Sequence, residues 1–340
     1  MSQTRVLVTG GSGFIAGHCI LRLLEEGFEV RATLRSLSTQ GGVRAALAAA
    51  GMRHGDPLGF VAADLTRDEG WAEAMAGVEH VLHVASPVQP GHVEREDDLI
   101  VPAREGTLRV MRAARAAGVR RVVLTSAFHA VSWGHPHSGH TFTEEDWTIL
   151  DRPGVDAYGK SKTLAERAAW DFITAEGGGM ELTTMLPVAV MGPVMGREVS
   201  GANHIVQRML AGAMPAVPRL FIPVVDVRDV ASAHVAALTH GGAAGERFLL
   251  SNGAPLALHE IGGILREGFG GAAARVPTRT IPDPVVRVVA WFKPEFRSFL
   301  PDLGYAKKTS NEKARRVLDW HPRPPREAIL AAARSLLKPG

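Results

Sequence analysis

The N-terminal thirty-five residues constrain the chain more than any other stretch. Arg5 to Thr9 is a short run rich in β-branched residues, and it breaks into Gly10-Gly11-Ser12-Gly13-Phe14-Ile15-Ala16. A helical pattern follows through Ile15, Cys19, Leu23 and Leu24, and a second apolar run from Phe28 to Leu34 ends at Arg35. Strand, glycine turn, helix and strand in this order form the first half of a dinucleotide-binding unit. Gly10 gives the turn its tight backbone, and Gly13 lets backbone N–H groups approach a pyrophosphate. The helix N-terminus adds roughly half a positive charge.

The second strand bears on which dinucleotide binds. A site for the unphosphorylated cofactor usually places an acid about 20 residues on, bonded to the ribose 2′-hydroxyl. Here the strand reads Val30-Arg31-Ala32-Thr33-Leu34-Arg35-Ser36, with no acid. Arg35 is a planar cation suited to a 2′-phosphate, with Thr33 or Ser36 as an added hydroxyl, so NADP(H) is the expected cofactor.

The rest of the chain repeats the alternation. Strands are expected at 58–62, 80–84, 121–125, 182–186 and 248–251. Helices are expected at 43–50, 71–75, 104–117, 156–176 and 231–238. Further helices are expected at 256–268, 283–292, 311–318 and 325–337. Five successive alternations imply a doubly wound parallel sheet. Residues 1–186 are expected to form the nucleotide-binding domain, which also takes in part of 224–255. Residues 187–340 are expected to form a smaller, interleaved α/β substrate lobe. The net charge of +3 and the absence of any run of five like charges argue against nucleic acid. The single Cys19 excludes a disulfide framework. No apolar stretch reaches the length of a membrane span, and the cytoplasm is the expected compartment.

Tyr158 and Lys162 stand four residues apart at the start of a helix, which puts them on one face. A phenol is a poor acid near neutral pH, and a neighbouring ammonium is expected to lower its pKa. The pair is therefore expected to protonate an oxyanion as a hydride reaches carbon, Tyr158 as general acid and Lys162 as its electrostatic partner. The histidines at 129, 135, 137 and 140 lack an acid or cysteine at ligand spacing, so no metal is expected.

These residues resemble the extended short-chain dehydrogenase/reductases, and more narrowly their dihydroflavonol reductase and aldehyde/ketone reductase branch. The matching pieces are Thr9 to Ile15, the strand ending at Arg35, Asp64-Leu65, His83 to Pro87, Tyr158 to Glu166, Leu186-Pro187 with Gly192-Pro193, and Asp226 to Ala231. The resemblance implies a Rossmann-type sheet and hydride transfer from NADPH. It implies cofactor contacts from Gly10, Gly13, Phe14, Ile15, Arg35, Asp64 and Leu65. Ala85, Ser86, Thr125, Pro187 and Val188, together with Tyr158 and Lys162, complete that set. It also implies a homodimer through the 95–117 and 156–176 helices, and a lobe-tying role for Asp226 and Asp229.

Two positions depart from the family pattern. Ala16 stands at the third turn glycine. Strand five ends Thr125-Ser126-Ala127, where family members usually have Thr-Ser-Ser and use the last serine to polarise the substrate carbonyl. Ser126 or Thr125 can replace it through a small backbone shift. His129 or another polar group of 128–140 can supply the bond. Otherwise the protein is slow or takes a substrate needing no such donor. Ser126 is the expectation carried forward.

The pocket is expected from Pro87, Val88, Ala127, Phe128, His129, Trp133, Met191, Met195 and Phe221, with Trp291 or Phe299 from a lid near 290–302. That apolar set suits a hydrophobic aldehyde or ketone. A nucleotide-sugar epimerase or dehydratase shares the fold, but Arg35 and the missing Asp-Glu pair at 127–128 argue against it. A catalytically weak NADP(H) sensor is the other alternative.

Overall fold

The computed structural model describes residues 4–87, 95–152, 154–196, 198–292 and 300–337. Strands β1 (Arg5–Val8), β2 (Glu29–Leu34), β3 (Leu58–Ala62), β4 (His80–His83), β5 (Arg121–Thr125), β6 (Glu181–Pro187) and β7 (Arg247–Leu250) form one sheet, in the order β7-β6-β5-β4-β1-β2-β3. Every pairing in it is parallel. The fold is a doubly wound α/β sheet.

Its central strands β1, β4 and β5 are buried on both sides because helices cover both faces of the sheet. Val6 and Val8 of β1 join the core under α1 (Phe14–Glu25) and α7 (Val227–Thr239). Leu7 joins the opposite core, under α3 (Trp71–Met75), α4 (Asp97–Ala116) and α5 (Ala157–Glu176). α2 (Gln40–Ala49) links β2 to β3. A third core lies among α6 (Asn203–Leu210), α8 (Leu258–Phe269) and α11 (Pro325–Leu337). α9 (Asp283–Phe292) and α10 (Glu312–Leu318) complete the helices used below.

Two helices start four or more residues ahead of the sequence pattern. α4 begins seven residues before the expected 104 and runs through Pro102, because Leu99, Ile100 and Ala103 are buried and extend its apolar stripe. α7 starts at Val227 instead of Ala231, since Asp226 caps it by accepting the Arg228 N–H.

The strand order reverses at β1 and β4: the chain lays down β2 and β3 on one side of β1 and then crosses back to place β4 on the other. In open α/β sheets the crevice at the carboxyl ends of such strands is where ligands bind. Thr9, just past β1, holds this crevice together. Its Oγ1 accepts the Ala85 N–H at 2.9 Å and lies 2.9 Å from His83 Nδ1.

Candidate active site

The glycine turn opens into that crevice. Gly10 has φ +69°, and a Cβ built there would stand 3.0 Å from Ala85 Cβ. A Cβ on Gly11 would stand 2.8 Å from Ala32 Cβ. The turn therefore requires bare backbone, the cradle that a pyrophosphate needs. The Gly10 N–H donates to Thr33 Oγ1 at 2.9 Å, Gly11 N–H to Thr33 O, and Gly13 N–H to Gly10 O. Those three donors brace the turn. The N–H groups of Phe14 and Ile15, in the first turn of α1, remain for an anion. Gly17 N–H closes the helix on Gly13 O.

Thr33 is buried and works on Gly10, so it does not supply the hydroxyl expected for a 2′-phosphate. Ser36 Oγ accepts the Ser38 N–H and lies 2.8 Å from Ser38 Oγ. Arg35 is exposed at the end of β2, and its charge reaches Asp64. Asp64 Oδ1 accepts both the N–H and the hydroxyl of Thr66 at 2.8 Å, and these bonds hold its carboxyl below the usual range. Leu65 packs its Cβ against Gly106 of α4.

Asp156 starts α5 by accepting the Gly159 N–H at 2.7 Å. In the turns that follow this cap, Lys162 reaches the end of β5 and Tyr158 faces His129 in the turn beyond it. Lys162 is buried, and its Nζ donates to Thr125 O at 3.4 Å and lies 6.0 Å from the Tyr158 ring centroid. Burial pushes the lysine down to about 8, against the pull of Glu166. The Tyr158 phenol is pushed up to about 12 by burial and by the Asp156 charge. The sequence expectation that Lys162 lowers it is thus reversed: desolvation of the phenolate outweighs an ammonium at that range. At neutral pH the phenol carries its proton.

Around this pair the structure redistributes the other sequence candidates. Ser126 Oγ donates to Glu166 Oε2 at 2.7 Å, inside a buried cluster where Thr184 and Arg247 also bond Glu166. Thr125 Oγ1 lies 2.8 Å from His234 Nε2. Both hydroxyls beside Ala127 are therefore engaged in the interior, contrary to the expectation that Ser126 faces the substrate. Phe128 is 3 % exposed and packs edge-on against Phe142 and Trp133, so it is core and not pocket wall. Met191 is fully buried in the third core. Met195 lies over the first helix, its Sδ 3.1 Å from the place a Gly17 Cβ would take, with Leu47 alongside. The tertiary packing, not the residue type, distinguishes these three from a pocket lining. Phe221 is half-buried and pairs with Ala257 in a small antiparallel ladder.

His129 is partly buried, stacked on Trp133 at 3.8 Å and edge-on to the Tyr158 ring at 4.8 Å. Ala85, Ser86 and Pro87 are partly buried after β4, and Val188 is buried with its N–H on Leu250 O. Pro187 ends β6. Val88 and Phe299 lie outside the described residues. Trp291 is 78 % exposed at the end of α9. His135 Nε2 lies 2.9 Å from Trp147 O, and His140 Nε2 3.0 Å from Asp146. Among the described residues no three His, Cys, Asp or Glu side chains gather as a metal site, and no helix is long and apolar enough to cross a membrane.

Two structural partners escaped the sequence reading. Glu166 sits in the Tyr158-to-Glu166 motif but gave no sign of anchoring Ser126. Lys307 lies far off in sequence, yet its Nζ is 3.5 Å from the Trp133 ring centroid and 2.8 Å from Asp302. Of the two acids expected to tie the lobes, Asp229 accepts the Arg323 N–H and its guanidinium, with Trp320 donating to Asp229 O at 2.8 Å, whereas Asp226 is bonded by Arg228, two residues on.

Residues 6–250 match the model described as the NAD dependent epimerase/dehydratase family. Tetraketide alpha-pyrone reductase 1 of Arabidopsis thaliana is 32% identical over 286 residues, 83% of this chain and 84% of that protein. Anthocyanidin reductase ((2S)-flavan-3-ol-forming) of Vitis vinifera is 32% identical over 243 residues, 67% of this chain and 70% of its own length. Among solved structures, yeast methylglyoxal/isovaleraldehyde reductase complexed with NADPH superposes with a TM-score of 0.82 at 26% identity, covering 98% of each chain.

Proposed function

The chain belongs to the NAD-dependent epimerase/dehydratase family of extended short-chain dehydrogenase/reductases, and from that premise we propose that it reduces a hydrophobic aldehyde or ketone to the alcohol with NADPH. The observation that carries the reading is the Tyr158 ring 6.0 Å from Lys162 Nζ, which itself donates to Thr125 O at the carboxyl end of β5. Three relatives named as reductases, one of them of an alpha-pyrone and one of methylglyoxal and isovaleraldehyde, support it.

The residues present fit the cofactor. The bare turn at Gly10 and Gly11 takes the pyrophosphate against the Phe14 and Ile15 N–H groups. The exposed Arg35 would hold the 2′-phosphate, Asp64 and Leu65 the adenine end, and Pro187 and Val188 the nicotinamide end. When bound, NADPH supplies the hydride. Tyr158 gives its proton to the carbonyl oxygen and is refilled from water, so one NADPH and one proton are consumed for each alcohol formed. Lys162 keeps a positive charge behind the phenol as its proton leaves. Pro87, Trp133 and Phe221, all partly buried, form the apolar wall. The reverse oxidation uses the same groups.

NADPH oxidation against a panel of aryl and alkyl aldehydes and ketones, with Tyr158→Phe run beside the parent, tests this. Parent turnover that disappears in the variant, while NADPH still binds, is the expected result. Undiminished turnover in Tyr158→Phe removes the acid assignment. Ala127 favours one second reading, a weak enzyme serving as an NADP(H) sensor. A parent that binds NADPH tightly and reduces nothing on the panel selects it.

A further inference from the structure

The family pattern supplies a serine donor to the substrate oxygen besides Tyr158 at position 127, and Ala127 has none to give. Its two neighbours are committed elsewhere. The Ser126 hydroxyl is bonded to the buried carboxylate of Glu166, and Thr125 Oγ1 is paired with the buried ring of His234. Releasing either would strand a buried polar partner, which costs about 1–3 kcal/mol. The backbone shift that would bring Ser126 round is resisted further by its N–H, which donates to Met185 O at 2.8 Å.

His129 lies in the short turn (Phe128–Ala130) that follows directly on Ala127. Its ring stands edge-on to Tyr158, with centroids 4.8 Å apart. Neither ring nitrogen makes a hydrogen bond among the described residues, although its backbone O accepts Thr148 Oγ1. The ring is nonetheless fixed. It stacks on Trp133 at 3.8 Å and 19°, and Lys307 Nζ sits 3.5 Å from the same Trp133 centroid. Both distances hold together only on opposite faces of the indole. Lys307 is itself tied to Asp302. A cation, an indole and an imidazole thus form a three-layer stack that ends beside the catalytic phenol.

Resting on the reductase reading, we propose that the His129 imidazole donates the hydrogen bond to the substrate carbonyl oxygen in place of the missing serine. A neutral imidazole keeps one N–H donor. Burial, with the charges of Lys307 and Lys162, pushes His129 down to about 3, so the ring is neutral at physiological pH. The bond polarises C=O as charge develops on oxygen. The proton delivered to that oxygen is still the one from Tyr158, and His129 keeps its own.

A double-mutant cycle tests the proposal, with rates normalised to sites titrated by NADPH so that partial misfolding cancels. His129→Phe retains a ring on Trp133 and removes both nitrogens. Its kcat falls by about 10²–10³, the effect of losing one oxyanion donor, and its affinity for NADPH stays at the parent value. His129→Gln, which still offers an N–H, keeps more of the rate. Adding Ala127→Ser to His129→Phe restores at least about tenfold, whereas Ala127→Ser in the parent gains less. Three outcomes overturn the role. If Tyr158→Phe is inactive but His129→Phe keeps its rate within about threefold, His129 is no donor and the reductase reading stands. If Phe and Gln variants are equally slow and Ala127→Ser rescues neither, His129 only shapes the site. If the parent and Ala127→Ser both leave the whole panel unreduced, the reductase reading falls and this role falls with it.

Discussion

Ser126 Oγ and Glu166 Oε2 are 2.7 Å apart, and Glu166 is fully buried. The carboxylate gathers three elements: Ser126 past β5, Thr184 on β6 and Arg247 on β7. Arg247 continues outward to Glu144 O and Asp146 O and lies over Trp147. Glu166→Gln leaves that guanidinium buried without a counter-charge, which destabilises by about 3–5 kcal/mol. Urea denaturation reads the change, and an unmoved midpoint would mean the ion pair contributes nothing. Ser126→Ala, by contrast, is expected to keep kcat within about tenfold, because that hydroxyl serves the interior and not an oxyanion.

Arg35 offers a cleaner test of cofactor choice. It is exposed, so its removal leaves no buried partner behind. Hydrogen bonds to a charged group are each worth about 1.5–3 kcal/mol. Arg35→Ala is therefore expected to raise the Kd for NADPH by about 10- to 100-fold and to leave that for NADH nearly unchanged. Fluorescence titration with both cofactors measures this. Equal weakening of both would place Arg35 outside the 2′-phosphate site.

The parts of this site that were legible in the sequence are those written in adjacent residues. The turn at Gly10 to Gly13 follows a strand and opens a helix, and steric demand there leaves little choice of residue. The four-residue spacing of Tyr158 and Lys162 is enough to put them on one helical face. The parts that were not legible depend on distant partners. Ser126 and Glu166 are 40 residues apart, and Trp133 comes together with Lys307 from the far end of the chain. Phe128, Met191 and Met195 have the composition of a pocket wall, but apolar side chains suit a core equally well. Only the packing assigns Phe128 to Phe142, Met191 to the third core and Met195 to Gly17.

Lys162 gives the rate a pH dependence. Burial lowers its pKa to about 8, so the ammonium is full below that value and is lost as pH rises through it. Tyr158, near 12, stays protonated across the same range. The reductive kcat/KM is therefore expected to be flat from about pH 6 to 7 and to fall above about 8. Lys162→Met should be slow throughout and lose that limb. A limb that persists in Lys162→Met belongs to another group.

Stability should depend on pH through histidines that the fold keeps neutral. Burial pushes His83 down to about 3 and His234 to about 4, and His129 lies near 3. Their unfolded value is 6.5. Between these values the unfolded chain binds protons that the folded chain does not, so stability rises with pH and is lost as pH falls below about 6.5. Each group contributes up to about 1.4 kcal/mol per pH unit, and because the unfolded imidazoles are half protonated at pH 6.5 the three together remove about 5 kcal/mol between pH 6.5 and 5. Guanidinium denaturation at stepped pH measures the slope. His234→Gln keeps a polar partner for Thr125 Oγ1 and has no proton to gain. It should remove about one third of that slope even if it lowers stability at pH 7, and an unchanged slope would show that His234 is not one of the groups that titrate on unfolding.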